Sequence, residues 1–285
     1  MKRSVAIAVI AAVCSGLACG QDEESGFSEV QSGPASTEIR ARYLAAGVPV
    51  QPDDEVWESA PELAVGLMAQ LILPPQGGGS VDEVKVRALH DGEQLAFRFE
   101  WEDATENREV GGDTFRDAIA VGFPTRLTET LPSPLMGDAE HPVNIWQWTA
   151  DFDANAQGQG GFSSRYPHTE GVWYFPQDYA VTREVRAWRG TEPVIELEAK
   201  GFGTLERKVS QNVLGLGVHE DGRWRVVLRR RLSTGNPGDT LFRPGDKTQV
   251  ILAVWDGGSG EVNGRKGVTM TWTPLQLSWT FGAGD

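Results

Sequence analysis

The stretch Val84-Lys85-Val86-Arg87-Ala88-Leu89, His90-Asp91-Gly92-Glu93, Leu95-Ala96-Phe97-Arg98-Phe99-Glu100-Trp101 decides the fold class. Apolar and polar residues alternate on both arms, and a polar Asp-Gly turn joins them. A period of two gives each arm one apolar and one polar face, which predicts a β-hairpin. The same signature recurs along the chain. Ala118 to Phe123 (AIAVGF) is a buried-strand run, and Asn144 to Trp148 and Val194 to Glu198 alternate. Glu220-Asp221-Gly222-Arg223 turns into the strand Trp224 to Arg229, and Gln249 to Trp255 is strongly apolar. Asn263-Gly264 is a favoured hairpin turn, with a further strand expected over Gly267 to Trp272. A single short helix is expected around Ala60 to Gln70. Many short strands with regular turn signals predict an all-β, antiparallel β-sandwich with a few short helices and long loops. The polar, Gly-rich segment 151–171 reads as one such surface loop.

Composition narrows the function. Acidic residues outnumber basic ones 40 to 26, for a formal charge of −14. That balance argues against nucleic-acid binding, which needs a basic footprint. No run of about 18 apolar residues is present, so no transmembrane helix is expected. The chain has two cysteines, Cys14 and Cys19, and no Cys-x-x-Cys-His. Covalent c-type haem, cysteine-ligated iron–sulfur clusters and structural zinc are therefore excluded.

The N-terminus reads as an export leader over residues 1–19. Lys2 and Arg3 form a basic start, Val5 to Val13 an apolar run, and Ser15 to Cys19 the small residues of a cleavage site. Cys19 is a candidate lipidation site, although Leu17 stands two residues before it rather than the usual three. Residues 20–37 are polar, acidic and Gly/Ser-rich and read as a flexible spacer. The folded domain is expected over residues 38–285. Without Lys2 and Arg3 the exported part would carry two positive charges fewer than −14, that is −16. It would place the protein in the periplasm or outside the cell.

Few residues stand out for chemistry. No Gly-x-Ser-x-Gly is present, which removes the commonest serine nucleophile signature. The four histidines are scattered, and His90 and His219 beside their turns are expected in solvent. Asp151-x-Asp153-x-Asn155 resembles the start of a calcium loop, but Ala156 stands where such a loop needs glycine and no glutamate closes it. Arg229-Arg230-Arg231 reads as a solvated strand end. Most of the ten tryptophans are expected in the core. Methionine and lysine are scarce. Met136 lies in a Pro/Gly-bounded loop, Leu131 to Asp138, where a plain loop side chain is the simplest reading. Lys266 follows the Asn-Gly turn and reads by default as a surface charge. It is still a lysine, whose amine can lose its proton when buried, as arginine cannot.

The ordered set of local patterns is more specific than any one of them. Trp57-Glu58-Ser59-Ala60-Pro61, Met68-Ala69-Gln70, Phe97 to Trp101, Asp117 to Val121, Met136-Gly137-Asp138, Pro142-Val143-Asn144-Ile145-Trp146-Gln147-Trp148, Gly201-Phe202-Gly203-Thr204-Leu205, Asp221 to Val227, Ala253 to Gly257 and Asn263-Gly264-Arg265-Lys266 occur in that order. The set resembles the haem-b-binding γ subunit of ethylbenzene dehydrogenase and its relatives in the dimethylsulfide, selenate and chlorate enzymes. These belong to the type II dimethyl-sulfoxide-reductase group. The resemblance spans roughly residues 40–280.

The resemblance implies a β-sandwich holding one non-covalent haem b, with methionine and lysine as axial ligands of the iron. Met136 matches the methionine, before the Pro-Val-Asn strand, and Lys266 matches the lysine; Lys200 is the reserve candidate. The implied role is electron transfer rather than catalysis, since filled axial positions leave no site for a substrate. The implied partners are a molybdopterin catalytic subunit and an Fe–S subunit, with a soluble cytochrome c as acceptor. Any membrane contact would run through the lipid anchor alone. The apolar, Trp-rich sheet faces would form the haem slot. Two other classes compete: a haemless sandwich binding carbohydrate through its tryptophans, and a haem enzyme with an open sixth position.

Overall fold

The computed structural model describes residues 37–158 and 193–279. The leader (1–19), nearly all of the spacer (20–37) and most of the expected 151–171 loop lie outside the described residues. In chain order the elements are β1 (Ile39–Tyr43), a 3₁₀ turn (Glu55–Ser59), β2 (Leu63–Gly66), β3 (Met68–Ala69), β4 (Glu83–His90), β5 (Gln94–Glu102), β6 (Ala118–Pro124) and β7 (Val143–Thr149). Then come α1 (Ala150–Ala156), β8 (Val194–Ala199), β9 (Glu206–Arg207), β10 (Leu214–Glu220), β11 (Arg223–Arg231), β12 (Lys247–Trp255), β13 (Gly267–Val268) and β14 (Thr273–Leu277).

The first sheet runs β10-β11-β5-β4-β1-β14-β12, and the second runs β12-β6-β7-β8-β9. Strand β12 belongs to both. Its residues 247–250 pair with β14, and its residues 251–255 pair with β6. The two sheets face each other over one core. Phe97 of β5 lies 5.8 Å from Phe123 of β6, which lies 4.8 Å from Trp146 of β7. Trp224 of β11 meets Trp148 of β7 at 4.9 Å. These are the inward residues of alternating strands, so period-two patterning alone predicts them. The pairing is mixed rather than purely antiparallel, because β1 runs parallel to both β4 and β14.

The β4–β5 and β10–β11 hairpins form where the Asp-Gly turns predict them. The helix expected over Ala60 to Gln70 does not form. Leu63–Gly66 is a strand on β4, and Met68–Ala69 pairs with β13. Pro61 disfavours helical backbone at Ala60, and Gly66 is a poor helix former. The expected strand Gly267 to Trp272 stops at Val268, where Thr269 donates its N–H to the Leu252 carbonyl and its hydroxyl accepts the Leu252 N–H.

Conversely, the start of the expected 151–171 loop is helix α1. Its acidic first turn pairs with arginines: Asp151 with Arg116 at 2.6 Å and Asp153 with Arg108 at 3.4 Å. Those pairs also account for the calcium-like pattern. Two further expectations are reversed by tertiary packing. His90 is fully buried beside Ser278. Arg230 is fully buried on Glu196 at 2.8 Å and over the Trp146 ring at 4.8 Å. His219 is half-buried, bonded to the Asp103 carbonyl oxygen at 2.9 Å.

Candidate functional site

Strand β6 is buried on both faces. Its inward residues Ile119, Val121 and Phe123 enter the core. Its outward residues Ala118, Ala120 and Gly122 are small, and small side chains on a covered sheet face leave space. That space is a cavity of about 720 Å³, within the roughly 300–1,000 Å³ typical of ligand sites. Ile145 of β7, Leu197 of β8 and Ile251 of β12 extend its apolar floor. Gly122 is required there, because a Cβ would come within 2.8 Å of Ile251. Loops over residues 70–75, 134–136, 202–205 and 261–266 roof it.

Both Met136 and Lys266 stand on the wall of this cavity. Lys266 ends the loop between β12 and β13. The Val262–Arg265 turn, closed by the Arg265 N–H on the Val262 carbonyl, holds Asn263 and Gly264 at its centre as their sequence predicts. The Trp255 indole N–H donates to the Asn263 carbonyl at 3.0 Å. The Lys266 N–H donates to the Gly77 carbonyl, and its own carbonyl accepts from Gln70. So the backbone of Lys266 is pinned on both sides. Its amine lies 4.7 Å from the Trp255 ring. Among the described residues no carboxylate pairs with it, and burial pulls its pKa from 10.5 down to about 8. A lysine in this setting carries its proton at a cost, and the free amine is a competent donor to a metal.

Met136 reaches the cavity from a strained turn. It is one of three described non-glycine residues with positive φ, at 77°, and Gly137 follows at 70°. Gly137 donates to the Ser133 carbonyl at 2.8 Å, and Gly201 donates to the Met136 carbonyl at 2.9 Å. Asp138 accepts from the His141 N–H, which closes the loop before β7. A left-handed methionine costs on the order of 1–3 kcal/mol and persists where the surroundings dictate it. The packing thus spends strain to place this thioether.

The donor set and the wall suit a large apolar prosthetic group ligated through iron. The cavity supplies a soft thioether, a partly buried amine that no carboxylate pairs with among the described residues, and an apolar floor, with Arg116, Arg207 and Glu261 among its few charged residues. Lys200 is elsewhere: it is exposed and paired with Glu198 at 2.8 Å. The slot is also not Trp-rich, contrary to expectation. Trp101, Trp146, Trp148 and Trp224 fill the inner core, and Trp255 alone lines the cavity among the described tryptophans.

Sequence reasoning gave no role to the residues that hold Lys266, although Gln70 stands in one of the quoted patterns. Gln70 is buried, with its side-chain amide donating to the carbonyls of Leu73 and Gly264 and its oxygen accepting from Ile72 and Leu73. Gly78 lies so close that a Cβ would overlap the Lys266 backbone. The run Gly77-Gly78-Gly79 was the available signal, since consecutive glycines mark a close backbone approach.

Known proteins resemble this chain along most of its length. The ethylbenzene dehydrogenase family pattern matches residues 54–267. A protein of Haloferax mediterranei, provisionally named a respiratory nitrate reductase heme subunit, is 29% identical over 86% of this chain and 74% of its own. The chlorate reductase subunit gamma of Ideonella dechloratans is 27% identical over 97% and 98%. The dimethylsulfide dehydrogenase subunit gamma of Rhodovulum sulfidophilum is 27% identical over 79% and 74%. Among solved structures, a family 9 carbohydrate-binding module of Caldicellulosiruptor kristjanssonii in complex with glucose aligns with a TM-score of 0.41 and 9% identity, over 87% of this chain and 98% of that one. The family match covers most of the folded region and includes the loops that form the cavity, so the chain belongs to the ethylbenzene dehydrogenase family.

Proposed function

We propose that this chain is a b-type cytochrome, the non-catalytic electron-transfer subunit of a molybdenum oxidoreductase. The observation that carries the reading is the meeting on one apolar cavity of Met136 and the partly buried Lys266, whose amine pairs with no carboxylate among the described residues. Haem b, held without covalent bonds, supplies a one-electron iron couple there. Met136 would offer its thioether and Lys266 its neutral amine, which burial already favours. With Met136 and Lys266 both holding the iron, the subunit would pass electrons and turn over no substrate. Two of the relatives are named as gamma subunits and the third as a heme subunit, which supports a place in a multi-subunit enzyme.

The finer reading follows from the leader and the charge. The chain would be exported, with Cys19 as its candidate anchor. It would relay electrons between an Fe–S subunit, docked to a molybdopterin subunit, and a soluble cytochrome c. A formal charge of −14 favours encounter with a basic acceptor, through steering that weakens with salt. A sugar-binding role has less support, because Trp57, Trp101, Trp146, Trp148 and Trp224 are spent on the interior.

The test is an absorption spectrum of the full chain produced with haem available. Sharp low-spin bands on reduction, with haem extractable into acidic organic solvent, are expected. Met136→Ala and Lys266→Ala should each abolish the low-spin signature, while Lys200→Ala should not. A colourless chain that refuses added haemin overturns the reading.

A further inference from the structure

A second site lies at one end of the cavity-forming strands. Asp103 follows β5, Asp117 precedes β6, and Asp256 follows β12. Each offers one carboxylate oxygen within 4.8 Å of those of the other two. Asp117 is 0% exposed and Asp103 is 5% exposed. Among the described residues no lysine or arginine pairs with any of the three; His219 alone opposes the Asp103 charge. Three carboxylates converging in a buried place without a cation are costly. Burial, then the neighbouring Asp103 charge, pushes Asp117 up to about 7.

Two further observations point to a ligand. Asp103 uses Oδ1 to accept from the Thr105 N–H and hydroxyl, but its Oδ2 is buried and accepts from no donor among the described residues. Buried carboxylate oxygens ordinarily find a partner. In addition, the three atoms nearest to where a Cβ of residue Gly258 would stand are all oxygens. A Cβ there would overlap Thr105 Oγ1 and come within 3.1 and 3.2 Å of Asn107 Oδ1 and Asp256 Oδ1. The glycine keeps open a small space walled by oxygen. Asp117 is held in place by N–H donors from Asn107, Gly257 and the Trp224 indole.

We propose that Asp103, Asp117 and Asp256 bind one calcium ion. The ligand atoms are all oxygen, which selects a hard cation. Oxygens on opposite sides of a calcium ion lie roughly 4.8 Å apart, given bonds of roughly 2.4 Å, and calcium tolerates irregular geometry where magnesium does not. The ion would cancel the carboxylate repulsion and satisfy Asp103 Oδ2. It would tie together the ends of β5, β6 and β12. Since Ala118 and Trp255 are the next residues of β6 and β12 and line the cavity, the site braces one end of that wall.

The test is calcium titration of the full, chelator-treated chain by calorimetry, with thermal unfolding followed alongside. One ion per chain is expected, with Tm rising by roughly 5–10 °C at a hundredfold excess over Kd. Magnesium at equal concentration should do less. Asp103→Asn, which removes the charge but keeps the shape and the Thr105 bonds, should unfold at a higher temperature than calcium-free wild type and lose the calcium response. Asp256→Asn, at the more exposed end, gives the same readout if Asp103→Asn does not fold. The proposal is overturned if calcium neither binds nor shifts Tm, or if the variants respond as wild type does.

Discussion

Lys266→Met should have opposite effects on the haem-free and haem-loaded protein. Burial lowers the Lys266 pKa from 10.5 to about 8. That drop corresponds to roughly 3 kcal/mol against the ammonium form. The sign follows from proton counting. Between pH 8 and 10.5 the unfolded chain binds more protons at this residue than the folded chain, so stability rises with pH across that window. Below pH 8 both states are protonated and the whole penalty is present. Methionine keeps an unbranched side chain of similar reach and carries no charge. The haem-free variant should therefore be more stable than wild type at pH 7, by up to about 3 kcal/mol. The difference should shrink towards zero above pH 10.5. Urea unfolding of the haem-free chain, read by tryptophan fluorescence at pH 7 and pH 10, measures it. The haem-loaded variant should meanwhile lose its lysine-ligated spectrum. A variant no more stable at pH 7, or a difference that ignores pH, would refute the reasoning, since the amine would then be charged and solvated in the native state.

Three other outcomes are expected. Gly78→Ala adds a Cβ into the Lys266 backbone at a φ of +89°; thermal melts and haemin titration should show a loss of about 1–3 kcal/mol and weaker haem binding. Glu196→Leu takes from the buried Arg230 its nearest carboxylate, leaving Asp239 at 3.9 Å, and should cost about 3–5 kcal/mol, while the double variant Glu196→Leu with Arg230→Met should recover most of it in urea unfolding. His90 is held below its usual pKa chiefly by burial. Its unfolded form takes up a proton first, so its contribution is complete above pH 6.5 and falls as pH drops below that value. His90→Gln should flatten the acid side of the stability–pH curve.

The periodicity of residues 84–101 was enough to announce strands, because a half-buried strand must alternate whatever its neighbours are. The turn glycines did the same for the hairpins. The buried AIAVGF run was legible as a strand, but its second meaning was not. Ala118, Ala120 and Gly122 read as generic core until the structure shows that they face a cavity while Ile119, Val121 and Phe123 face the core. The short β2 strand was misread because its four residues form a strand only through pairing with β4, a long-range contact that local propensity does not contain.

What the sequence by itself determined was the all-β class, the lack of a Cys-x-x-Cys-His for a covalent haem, and the scarcity of methionine and lysine, with Met136 and Lys266 in loops. These are properties of residue identity and local spacing. The tertiary structure decided which charges are buried and what converges. It buried Arg230 and His90, sent Asp151 and Asp153 to arginines, and gathered Asp103, Asp117 and Asp256 from strand ends far apart in the chain. It also partly buried Lys266 beside the Trp255 ring. Burial and proximity depend on which distant segments pack together, and no local window of sequence specifies that.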